Sequence, residues 1–136
     1  MDLFFVRVLS NNDFNAFWDG IAQDKPLKTP DKGRTASFTV IRRSDSGLEV
    51  RTHKGNTVRI RREAFGAVLR HLAQEHHGAE QPCIVASSQH RPGFLGFAAK
   101  QANDNAAVVI TYILPILQDA GLVEIDGNRP NRTWLL

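Results

Sequence analysis

Arginine is the residue type in this sequence whose number and spacing most clearly indicate a chemical role. Residues 34–62 contain eight Lys or Arg side chains and two acidic ones, a local charge of +6, whereas residues 101–136 carry −2. The whole chain has a net charge of only +3 over 136 residues. Because clustered guanidinium groups bind phosphates, the central segment predicts contact with a polyanion such as nucleic acid.

Histidine and cysteine are the residue types that would hold a metal ion. His71, His76 and His77 fall near the end of a predicted helix, where an imidazolium ring complements the helix dipole. A zinc site needs two ligands on one face and others at a recognisable spacing. His76 and His77 are adjacent and diverge, and the single Cys83 does not complete a set, so we expect no metal and no cofactor. Cys83 is then expected to be a small buried apolar side chain.

Three residues loosely follow the acid, acid-x-base spacing of metal-dependent nucleases: Asp31, Glu49 and Arg51. Such enzymes need two carboxylates that hold a divalent ion beside the scissile phosphate. Here Asp31 lies in a predicted loop, and solvated strand charges account for the other two residues. The sequence also contains no glycine-rich phosphate loop, nucleophile elbow or Cys-x-x-Cys pair. We therefore expect no catalytic residues and a protein that is not an enzyme.

The basic residues lie on segments in which apolar and polar residues alternate with a period of two. SFTVIRR at 37–43, LEVRTH at 48–53 and TVRIRR at 57–62 are separated by the turn sequences SDSG and KGN. This pattern predicts a three-stranded antiparallel meander with one apolar and one basic face. Upstream, we expect a strand over residues 3–9, a short helix with Phe14 and Trp18 on its apolar side, and a loop over residues 25–33.

Helical periodicity follows the meander. One stripe comprises Phe65, Val68, Leu69, Leu72 and Ala73, and Gly78 is the expected helix stop. A short buried strand at CIVAS and a brief helix near residues 95–101 come next. The residues NDN at 103–105 are expected to cap a last helix that runs to about Asp119 and ends at Gly121. Two short strands, joined by a turn through DGNRP, complete the chain.

The order helix, strand, helix, helix, strand, turn, strand over residues 62–136 is similar to that of the winged helix-turn-helix superfamily. The segment YILPILQDAGLVEI and the hairpin after it carry this resemblance. It implies that the third helix, about residues 104–119, enters the major groove, and that the wing, residues 126–132, contacts phosphate or the minor groove. The chain departs from this pattern in one respect, because no Lys or Arg lies between Lys100 and Arg129.

The sequence thus predicts an α+β protein with two parts. Residues 1–61 form a basic antiparallel β-meander with a short helix, and residues 62–136 form a winged helix. The leading functional prediction is a non-enzymatic DNA-binding protein, a small bacterial-type regulator or accessory factor, with double-stranded DNA as its partner. The predicted contact residues are Arg42, Arg43, Arg51, Lys54, Arg59, Arg61 and Arg62 of the meander, Thr111 and Tyr112 of the third helix, and Arg129 and Arg132 of the wing.

The alternative prediction is a protein-interaction or dimerisation module that does not bind DNA. Its contact surface would comprise Val108, Tyr112 and Pro115, an uncharged helix face that suits a protein partner at least as well as DNA. The apolar run at residues 106–117 is far shorter than the roughly 20 residues of a membrane span, so no membrane partner is expected. A single cysteine fits a reducing cytoplasm.

Overall fold

The computed structural model describes residues 10–85, 93–104 and 109–136. The strand predicted over residues 3–9 lies outside these ranges. Within them the fold is α+β, as predicted, with helices and two antiparallel sheets.

The first helix, α1 (Asn11–Asp19), is anchored at both its N-terminus and its apolar face. The Ser10 hydroxyl caps the helix by accepting a hydrogen bond from the Asp13 N–H at 3.1 Å. The fully buried Trp18 donates its indole N–H to the Ser44 carbonyl at 2.8 Å. Because Ser44 follows a strand of the first sheet, this bond attaches the helix to that sheet.

The predicted meander is confirmed. The first sheet has the order β1-β2-β3-β4 and consists of β1 (Leu27–Lys28), β2 (Ser37–Arg43), β3 (Gly47–Thr52) and β4 (Thr57–Arg61). The prediction of a loop over residues 25–33 was wrong in part, because β1 lies there and pairs Leu27 with Phe38. The inner face of the sheet buries Phe38, Val40, Leu48, Val50 and Ile60.

Helix α2 (Arg62–Gln74) follows β4 directly and buries the predicted apolar stripe. The expected stop at Gly78 was wrong. The helix ends at Gln74, and His76 adopts a left-handed φ of 55°. The N–H groups of His76 and His77 turn back onto the Ala73 and Leu72 carbonyls at 3.1 and 2.8 Å, which is a Schellman turn that satisfies the last carbonyls of the helix.

The second sheet contains the predicted C-terminal hairpin. Its strands are β5 (Cys83–Val85), β6 (Val123–Asp126) and β7 (Asn131–Leu135), in the order β5-β7-β6. The prediction that β5 is buried holds for Cys83 and Val85, whereas Ile84 between them is 61% exposed. Helices α3 (Gly93–Ala102) and α4 (Ile110–Asp119) precede the hairpin.

Helix α4 ends where predicted but begins later. Gly121 follows it with a φ of 77°, a left-handed conformation that favours glycine. The helix begins at Ile110, and the residue at its N-cap position, Val109, makes no capping hydrogen bond with its side chain. Asn103 was expected to cap this helix, but its amide instead bonds to the backbone of β4. The other predicted cap, Asn105, lies outside the described residues.

One hydrophobic core joins the two predicted halves of the chain. Trp18 packs edge-on against Phe65 of α2, with ring centroids 5.4 Å apart. Phe38 of β2 packs in the same manner against Tyr112 of α4 at 5.2 Å. The first sheet therefore lies against α2 and α4, and this packing decides which side chains remain exposed to solvent.

Candidate polyanion-binding face and histidine–cysteine cluster

The outer face of the first sheet brings together arginines from three strands. In the sheet register, Arg42 of β2 lies opposite Glu49 of β3, and Glu49 lies opposite Arg59 of β4. Arg61 is two residues further along β4, and Arg51 is two residues further along β3, so both share this face. We define the basic face as Arg42, Arg51, Arg59 and Arg61, which are all exposed.

Two of these arginines are paired with acids. Arg59 lies 3.2 Å from the mostly buried Glu49, and Arg61 lies 2.7 Å from the exposed Asp104. Within the described part of the chain, Arg42 and Arg51 form no ion pair. Arg42, Arg59 and Arg61 also line a groove of about 320 Å³. The face therefore keeps a positive charge and includes a groove that is lined by three arginines and by Glu49.

Arg43 and Arg62 were predicted as nucleic-acid contacts together with these arginines, but neither side chain lies on the basic face. The pairing of β2 with β3 shifts between Val40 and Arg42, which turns Arg43 toward α1. There it is half-buried and lies 3.8 Å from Asp19. Arg62 begins α2, and its guanidinium group lies over the rings of Phe14 and Trp18 at 5.3 and 5.4 Å. Lys54 is exposed in the turn between β3 and β4.

The wing is docked onto the N-terminal half of the chain. Arg129 donates hydrogen bonds to the Asp31 carboxylate from Nε, at 3.3 and 3.1 Å, and from Nη2, at 2.9 Å. The Arg129 guanidinium and the Gly33 N–H hold the pKa of Asp31 below its usual value. A Cβ atom at Gly127 would overlap the Pro30 carbonyl oxygen, so only glycine permits this approach. Arg129 is therefore already occupied by Asp31, whereas Arg132 on β7 is exposed.

The helix face predicted to contact DNA or a protein partner is largely covered. Pro115 is buried, which is incompatible with the contact surface expected for it. Tyr112 is half-buried against Phe38, and Thr111 is half-buried beside it. Both side chains line a groove of about 610 Å³ between α4 and residues 29–36. The third residue of the alternative surface, Val108, lies outside the described residues.

The fold assembles one cluster that sequence reasoning did not expect. His71, His77 and Cys83 each place a potential metal-ligating atom within 4.8 Å of the other two. The imidazole rings stack with centroids 6.2 Å apart. Burial raises the pKa of the Cys83 thiol to about 11, so the metal-free thiol is neutral. The expectation of a buried thiol is confirmed, but Cys83 is not isolated from the histidines.

The equal spacing His-x5-His-x5-Cys was the available sequence signal for this cluster. This spacing predicts a cluster only if the chain turns at His76, because a straight helix through residues 71–77 would point the two histidine rings in different directions.

Each of the two carboxylates of the nuclease-like pattern forms an ion pair with an arginine. Asp31 is paired with Arg129, and Glu49 with Arg59.

Comparison with protein-family models, with curated proteins and with solved structures finds no match. The resemblance to winged helix-turn-helix proteins therefore stays a prediction. Among the helices within the described ranges, none has the length and apolar character needed to cross a membrane.

Proposed function

We propose that this protein binds double-stranded DNA without catalysis, through the basic face of its first sheet. A single observation carries the proposal. Arg42, Arg51 and Arg59, from three adjacent strands, project into solvent on one side of a sheet whose other side is core. Residues two apart on a strand are separated by roughly 6.6 Å, and neighbouring strands by about 4.8 Å. This spacing lets several guanidinium groups meet neighbouring phosphates at once.

The charge balance of the face supports phosphate binding over a purely structural role. An arginine that is fully paired with acids contributes little to a polyanion site, because a phosphate must compete with the carboxylate. Arg42 and Arg51 have no acidic partner among the described residues, so they are available without that competition. Arg59 donates one hydrogen bond to Glu49, from Nε at 3.2 Å, and its side chain is 87% exposed, so its terminal nitrogens stay accessible to a phosphate beside the groove.

We further propose that residues 62–136 form a winged helix that supports the sheet. The element order and the strand order β5-β7-β6 favour this assignment. In this proposal α4 contributes mainly to packing, since Pro115 is buried and Tyr112 rests on Phe38. Of the predicted wing contacts, Arg132 is the better placed for phosphate, because Arg129 already binds Asp31. A role as a small regulator or accessory factor, in the cytoplasm, goes with this proposal.

The test is the salt dependence of binding to a short random-sequence duplex. The double variant R42Q/R51Q removes two charges without leaving an acid unpaired, so folding should be unaffected. Its affinity should fall for all sequences, and the slope of log K against log salt should flatten by about 0.9 for each lost phosphate contact.

The matched control is R34Q/R70Q, which removes the same charge from exposed positions that are not part of the basic face. This variant should keep the wild-type slope. If both double variants weaken binding equally, the effect is one of net charge, and the assignment of the basic face is wrong. A wild-type protein that does not bind duplex DNA even at low salt would overturn the proposed function itself.

A further inference from the structure

The cluster of His71, His77 and Cys83 lies where three elements meet. His71 belongs to the last turn of α2, His77 to the turn after it, and Cys83 to β5. We infer that these three side chains bind one divalent metal ion of the zinc type, with the fourth position of a tetrahedral site open to water. Two imidazoles and one thiolate form a ligand set that zinc favours over magnesium or calcium.

The backbone around His77 holds this ligand in place. Its N–H donates to the Leu72 carbonyl at 2.8 Å, and its carbonyl accepts from the Leu135 N–H at 2.9 Å. The ring is fixed as well, because Nδ1 lies 2.8 Å from the Gln81 carbonyl oxygen. A carbonyl partner requires Nδ1 to carry the proton, which leaves the lone pair on Nε2. Metal-binding histidines are commonly oriented by such a bond from the second ring nitrogen.

The distances require only a small adjustment on binding. Zinc lies about 2.0–2.1 Å from nitrogen and about 2.3 Å from sulfur, so ligand atoms in a tetrahedral site are roughly 3.4–3.6 Å apart. The three atoms here lie within 4.8 Å of one another. A shift of about an ångström, within reach of side-chain rotation at His71, closes the site. Because β5 and the His77 backbone are held by hydrogen bonds, the side chain that moves is that of His71 on α2.

The three ligands differ in burial, so that a metal would enter from the side of the two histidines. Cys83 is only 6% exposed, whereas both histidines are half-buried and accessible to solvent. Binding would release the thiol proton and create a Zn–S bond. The ion would then connect the end of α2 to β5, across residues 75–82. The bound metal would therefore link the helix to the second sheet.

Titration of the chelator-treated full chain with zinc and with cobalt tests the inference. Calorimetry should show one zinc per chain, and cobalt should produce the sulfur-to-metal charge-transfer absorption of a thiolate ligand. C83A and H77A should each weaken zinc binding by on the order of 100-fold or more, since even second-shell changes cost about 10–100-fold. Zinc should also raise the melting temperature of the wild type, because it binds the folded state more tightly than the unfolded chain.

The matched control is H53A, which removes an exposed histidine from the turn between β3 and β4. It should bind zinc as the wild type does. Metal-free C83A and H77A should keep the wild-type far-ultraviolet circular dichroism, which separates loss of a ligand from loss of the fold. The inference is overturned if cobalt gives no sulfur band, or if C83A binds zinc as tightly as the wild type. None of these measurements involves DNA, so their outcome does not depend on the proposed function.

Discussion

Asn103 is the residue whose replacement most directly tests how the two halves of the chain are joined. It is 3% exposed and follows α3. Its side-chain oxygen accepts a hydrogen bond from the Arg61 N–H at 2.6 Å, and its side-chain nitrogen donates to the Arg59 carbonyl at 3.1 Å. Strand β4 is an edge of the first sheet. The amide of Asn103 thus replaces the neighbouring strand that an edge lacks.

We expect Asn103→Leu to lower the free energy of unfolding by about 2–3 kcal/mol. The leucine has a similar size but leaves one backbone donor and one backbone acceptor without a partner, and each such group costs about 1–3 kcal/mol when buried. The expected loss of stability is near the low end of the range for two unpaired groups, because Arg59 and Arg61 are exposed residues and water reaches this edge of the sheet in part.

Urea denaturation followed by the fluorescence of Trp18 and Trp134 measures this change. Amide hydrogen exchange locates it, since the Arg61 N–H should exchange faster in the variant. Asp104→Asn is the control, because the Arg61–Asp104 pair is exposed and such pairs contribute at most about 1 kcal/mol. A leucine variant within about 0.5 kcal/mol of the wild type, with the Arg61 amide still protected, would refute the reasoning.

Three further predictions concern the core, a helix end and the wing. Leu117→Ala should cost about 2–5 kcal/mol in urea denaturation, because Leu117 is fully buried, and an unchanged midpoint would place it at the surface. Gly121→Ala should cost about 1–2 kcal/mol, since its φ of 77° disfavours a Cβ, whereas the control Gly78→Ala should change little. In R129Q the pKa of Asp31 should rise toward its ordinary value in a carboxyl NMR titration. The stabilisation from this pair is present above the ordinary aspartate pKa and is lost as the pH falls through the lowered one; an unshifted Asp31 would exclude the pairing.

Local pattern was sufficient to predict most of the elements. Alternation of apolar and polar residues located β2, β3 and β4, because a strand with one buried face requires a period of two. The stripe through Phe65 and Leu72 located α2, since 3.6 residues per turn place those side chains on one side. Gly121 marked the end of α4 for an equally local reason, the tolerance of glycine for a positive φ.

Predictions that depended on irregular backbone were wrong. The register shift after Val40 exchanges the faces of the sheet on which Arg42 and Arg43 lie. The amino-acid composition of this segment does not predict such a shift. The turn at His76 replaced the expected stop at Gly78, with a non-glycine residue in the left-handed conformation. Both features are stabilised by contacts with the rest of the fold, which a periodicity argument does not contain.

What the sequence by itself determined is therefore most of the elements, the α+β class and the concentration of arginine in the meander, because these depend on neighbours along the chain. Only the tertiary structure decided which side chains are free to act. It buried Pro115, paired Arg129 with Asp31, and brought His71, His77 and Cys83 together across 12 positions of sequence. The physical reason is that exposure and proximity are set by packing between distant segments, and the same side chain is a contact residue or a core residue according to what lies against it.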